Sequence, residues 1–353
     1  MTGVTRSLCL VGIFVLSGLA APGVLARAGD AVEPPSNPQH PLFDFHSGLW
    51  INLHHFLYEE AATQAEGSQP VRHEPLAAED LAIAAELSPD EQQIWSSAIA
   101  YYETHFLQRD LLTNDMMRSI KNRLEDSEDA PTLVRSRLDP SLAAVLNRAA
   151  PVYRAHWWQA HDRANHLWIA GVSPLIDQHG KALSEKLSVA FGAPWPDRPI
   201  RVDVVAYANW AGAYTTLLPS RIAISSLDAR NQQTAALEVV FHEASHTLIE
   251  RVGDTLIRDF AARKKSAPRD LWHALLFFTV GFYVQQIYPD YVPYAKSNDL
   301  WERGFSSPFY EVLAADWQPH LEGKKSLAQA LSDLVGDLST PATKTQPGTS
   351  GQP

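Results

Sequence analysis

The chain has 353 residues, 40 of them acidic against 29 basic, which gives a formal charge of −11, and it contains one cysteine. An acidic chain without a basic tract argues against nucleic acid or an anionic membrane as a partner. Cys9 lies in the N-terminal apolar run, so the rest of the chain can form neither a disulfide nor a thiolate metal site. Any metal must then be held by histidine and carboxylate.

The first stretch has Arg6 followed by an apolar run from Leu8 to Ala26, interrupted by Gly12, Gly18, Pro22 and Gly23, and then Ala26-Arg27-Ala28. This pattern predicts a signal peptide over 1–28 and hence an exported protein, periplasmic or secreted, with no stable membrane anchor after cleavage. An uncleaved anchor helix is the alternative, disfavoured by the proline and glycines. Cleavage would remove Arg6 and Arg27 and no acid, moving the formal charge from −11 to −13. The proline-rich residues 29–42 read as a linker.

A region from 43 to 195 reads as mainly helical. Its first part, 43–58, is dense in aromatics and holds His46, Asn52 and His54. These could reach a cleft, but histidines packed in an aromatic cluster are the favoured reading. Ser88-Pro89-Asp90-Glu91 is a capping box with proline at the first helical position, and Thr113-Asn114-Asp115 and Asp139-Pro140 mark two further helix starts. His156, His161 and His166 recur every five residues, so each turns by about 140° from the last and the three share no helix face. His161 and Asn165 do share one with Trp158, as a pocket wall or as core.

The pattern changes after Gly192-Ala193-Pro194-Trp195-Pro196. Residues 200–207 are rich in valine and begin with alternation, so a strand is expected there, with shorter strands over 213–218 and 221–226. A helix should follow from about 231 to beyond 250. Residues 270–288 are apolar around most of a helical circumference and predict a buried helix. A last amphipathic region covers 308–338, and the Thr/Pro/Gly/Ser/Gln-rich residues 339–353 should be disordered. The expected class is therefore α+β, mainly α. A region over 196–338, in which a small sheet leads into the helix beginning near 231, follows the helical region over 43–195.

That helix carries Val239-Val240-Phe241-His242-Glu243-Ala244-Ser245-His246-Thr247-Leu248. Four residues apart on a helix, His242 and His246 project from one face about a turn apart, a separation at which two imidazoles can bind one Zn²⁺. Glu243 lies beside them, placed to take a proton from water. The bland alternative is a core helix with two satisfied histidines.

The run resembles the extended His-Glu-x-x-His signature of the zincin metallopeptidases, with Val239 at its first position and Leu248 at its last. The resemblance implies a strand leading into the motif helix whose edge pairs with an extended peptide substrate, for which residues 221–226 are the candidate. It also implies an oxyanion-stabilising group, with Tyr207, Tyr214, Tyr283 and Tyr310 as candidates. A catalytic zinc needs a third protein ligand. The metzincin continuation, with its third histidine, is absent. Glu250 lies one more turn along the helix, about 6 Å in axial rise, which suits a tetrahedral site poorly. Later donors are Asp270, His273, Glu302 and Glu311. His273 ranks first because an imidazole on an apolar helix face needs a polar partner. Glu311 is the alternative, loosely like the glutamate of one gluzincin group but one residue out of spacing. The sequence thus points to an exported zinc metallohydrolase acting on peptides or proteins, with Glu243 as general base. The alternative is a non-catalytic helical binding or assembly protein with a relic or structural metal site.

Overall fold

A computed structural model describes residues 41–65, 71–302 and 309–339. The expected leader, the linker up to residue 40 and the tail beyond 339 lie outside the described residues. The described part is mostly helical around one small mixed sheet, the α+β, mainly α class.

The sheet has four strands in the order β1-β2-β4-β3: β1 (Phe43–His46), β2 (Ile200–Val205), β3 (Ala213–Leu217) and β4 (Ser220–Ser225). β1 pairs parallel with β2, β2 parallel with β4, and β3 antiparallel with β4. The valines and isoleucines of β2 and β4 explain why these two are central: Val202, Val204, Ile222 and Ile224 are fully buried, as strands covered on both faces require. This corrects one expectation. The strand over 221–226 is interior, and the edge is β3, because the tight turn into β4 folds β3 back onto the outside.

Two apolar cores share the described residues, which cluster as one unit. The first is built from α1 (Leu49–Ala65), α2 (Ala78–Glu86), α3 (Pro89–His105), α4 (Asp115–Glu125) and α5 (Pro140–His156). Ser88 accepts from the Glu91 N–H while the Glu91 carboxylate accepts from Ser88 N–H, and Asn114 and Asp139 cap α4 and α5, so all three expected helix starts are present. The second core takes in β1, α6 (Trp158–Phe191), the sheet, α7 (Thr234–Ser245), α8 (Glu250–Ala262) and α9 (Leu271–Ile287). The short α10 (Tyr294–Ser297) and α11 (Tyr310–Val312) follow, then a π-helical turn at Leu313–Trp317, α12 (Gln318–Leu321) and α13 (Leu327–Ser339). β1 and α6 both precede residue 196 and both pack into the second core, so the chain passes between the cores more than once.

A buried ion network fastens α4 to the sheet. Lys121 Nζ lies 2.6 Å from Glu125, both side chains being almost fully buried, and Arg221 of β4 reaches Glu125 at 3.1 Å. Such pairs hold only while every partner is present, because a lone buried charge is costly. Among the described residues no helix is long and apolar enough to cross a membrane.

Candidate metal centre

The motif helix is shorter than the sequence suggests. α7 ends at Ser245, and His246, Thr247 and Leu248 donate their N–H groups three residues back, to Glu243, Ala244 and Ser245. Ser245 Oγ and Thr247 Oγ1 bond to the carbonyls of Phe241 and Ala244. The ladder thus tightens to three-residue bonds over 246–248, and a new helix, α8, begins at Glu250. His246 therefore stands on the last turn, still one turn from His242, with ring centroids 5.3 Å apart.

α9 brings in the third imidazole. It packs closely on α7 at Gly281, where a Cβ would lie 2.9 Å from Pro293 Cβ and 3.1 Å from Glu238 Oε1. A larger residue there would have to displace Pro293 and the Glu238 carboxylate. Glu238, one turn before His242, accepts the Tyr294 N–H at 2.9 Å and ties α10 to the same junction. Two turns before Gly281, at the start of α9, stands His273.

His242, His246 and His273 each offer a ring nitrogen, and these atoms lie within 4.8 Å of one another. The Nε2 atoms of His242 and His273 are 3.1 Å apart. Two nitrogens bound tetrahedrally at zinc distances stand about 3.3 Å apart, so the His242–His273 pair is already close to ligand spacing and the three together lie near enough to share one ion. Burial pushes His246 down to about 4, and burial with the neighbouring His246 pushes His273 down to about 3. His242 is held well below its usual value by burial first, then by the other two rings. All three are therefore neutral near pH 7, the form that offers a lone pair to a metal. Aromatic rings fix them: Phe277 stacks on His242 with centroids 4.0 Å apart, and Trp272, 37% exposed, stacks on His273 and meets His246 edge-on.

Glu243 is buried beside the cluster, its Oε2 3.8 Å from His246 Nε2. Burial raises its carboxyl to about 7, against a hydrogen bond from Thr215 that lowers it. A group poised there can both accept and return a proton near neutrality.

The other residues singled out in the sequence lie elsewhere. Among the described residues the cluster contains no carboxylate ligand: Asp270, Glu302, Glu250 and Glu311 are not part of it, and Glu311 is exposed on α11. His54 bonds to Tyr102 and His46 to Glu128, while Asn52 bridges Gly48 and Ala206. His161 sits between Tyr153 and Asp80, and Asn165 reaches Ser47 and Asn52, so both belong to the core. The four candidate tyrosines have other partners than His242, His246 and His273: Tyr207 bonds to Asp80, Tyr214 to His55 and Tyr283 to the Leu321 carbonyl, and Tyr310 packs against Trp301. The tyrosine whose phenol senses Glu243 is Tyr294, stacked on Phe277; burial, then neighbouring carboxylates against Arg230, push it up to about 12. Phe277 follows His273 by one helical turn, among the apolar neighbours that the sequence places beside that ring. Sequence reasoning missed Thr215, which carries no pattern of its own. Comparison with protein-family profiles, with curated proteins and with solved structures finds no match to this chain.

Proposed function

We propose that this chain is an exported zinc-dependent peptidase whose metal is held by His242, His246 and His273. The observation that carries the reading is the third imidazole: α9 delivers a neutral histidine to the two of the His-Glu-x-x-His helix at ligand spacing, with a buried glutamate alongside. Three histidines with an open fourth position suit zinc well. A zinc ion there supplies Lewis acidity, which polarises a carbonyl and brings the acidity of water towards neutral pH.

The chain's own groups do the rest. Glu243 takes the proton from the attacking water and returns it to the departing amine, a double role that a carboxyl near 7 can perform. The outer edge of β3 offers its backbone to an extended peptide by strand addition, and Thr215 on that strand touches Glu243, so a peptide bound there runs past the base.

The test is hydrolysis of an unfolded protein and a mixed peptide library by the zinc-loaded chain, with metal-stripped protein and Glu243→Gln as controls. Cleavage that disappears in both controls supports the reading. Stoichiometric zinc with no cleavage of any peptide would favour the non-catalytic binding protein instead.

A further inference from the structure

Glu243 is carried by α7, but its carboxylate is held by a different element. Thr215 Oγ1 of β3 lies 2.6 Å from Glu243 Oε2 and 2.9 Å from the Glu243 carbonyl oxygen. The hydroxyl has one hydrogen and the shorter contact is to the carboxylate. His246 Nε2 is 3.8 Å away, beyond hydrogen-bond reach. A glutamate has three side-chain torsions, the last of them broad, so the helix backbone alone leaves the carboxylate plane undefined.

Side chains alternate along β3. Tyr214 and Thr216 turn to the first core, where they meet His55 and Lys121, while Thr215 turns to α7. The geometry points to Thr215 as a positioning residue: its hydroxyl fixes the Glu243 carboxylate in the orientation from which it acts on water, and couples that orientation to the edge strand on which a peptide would bind. One lone-pair direction of Oε2 is then occupied, of the roughly four acceptor directions of a carboxylate. This assignment rests on the peptidase reading above.

Thr215→Val is nearly isosteric and removes only the donor, while Thr215→Ser keeps it. On metal-free protein, denaturant unfolding of Thr215→Val, Glu243→Ala and the double variant measures the coupling of the two side chains without any turnover. The expected coupling is at least about 3-fold in the unfolding constant. On zinc-loaded protein, Thr215→Val should lower kcat by roughly 10- to 100-fold with KM and zinc content unchanged, as expected of a misaimed base, and Thr215→Ser should restore most of it. Additive unfolding effects, or a Thr215→Val variant with the kcat of the wild type, would overturn the assignment. If the wild type binds zinc and cleaves nothing, the peptidase reading falls, and a coupling seen in the unfolding cycle is then a structural bond only.

Discussion

Replacing His273 with alanine separates the three-histidine centre from every carboxylate-completed alternative. In the absence of metal, His242 Nε2 and His273 Nε2 face each other at 3.1 Å, so one neutral ring donates and the other accepts. His242 Nδ1 is buried without a hydrogen-bond partner. Truncating His273 therefore leaves His242 poorly satisfied on both nitrogens, a cost of about 1–3 kcal/mol to the metal-free protein. The effect on zinc should be larger. Residues that only orient a ligand typically contribute 10- to 100-fold to affinity, so loss of a direct ligand should exceed about 100-fold. Competition against a chromophoric chelator measures it, with circular dichroism to confirm that the variant is folded. Glu311→Ala is the control: its exposed side chain is not part of the cluster, and affinity should stay within about 2-fold. Zinc retained with alanine at 273 and lost with alanine at 311 would refute the reasoning.

Further outcomes can be measured alongside. Glu243→Gln should keep the metal and lose hydrolysis by several orders of magnitude, because the amide cannot accept the proton; near-normal turnover would remove Glu243 from the mechanism. Glu74 is pushed up to about 8, mainly by burial and against hydrogen bonds from Ser225 and the Ala208 N–H. Because the folded state holds this proton more tightly than the unfolded one, its contribution is complete below about pH 4.5 and is lost as pH rises to about 8. Glu74→Gln should flatten the pH profile of denaturant stability over that window, by up to about 5 kcal/mol, and parallel profiles for variant and wild type would contradict this. Glu125→Ala strips Lys121 and Arg221 of their shared buried partner and should cost about 3–5 kcal/mol; a loss below about 1 kcal/mol would mean that water reaches the pair.

How much of this was legible in the sequence depends on the range of the interaction. Helix starts at Ser88, Asn114 and Asp139 are local, three or four residues of capping chemistry, and the structure has them. The pairing of His242 with His246 is local in the same sense. His273 was reachable by a satisfaction argument, a polar ring on an apolar face, although the sequence left Glu311 open beside it. Strand order was not legible: nothing in residues 213–226 says which of two short strands takes the edge, since that depends on where β2 lies. The break after Ser245 was not legible because no glycine or proline marks it. Thr215 depends on packing between an edge strand and a helix 28 residues later, which no periodicity records.

Whether these three histidines hold one metal ion can be seen by diffraction from crystals grown with zinc, recorded on both sides of the zinc absorption edge. One anomalous peak per chain is expected, about 2.0–2.1 Å from a ring nitrogen of each of His242, His246 and His273, with Glu243 near but not bonded. A zinc-supplied, folded protein with no peak between these rings, or with the ion bound by other residues, would contradict it.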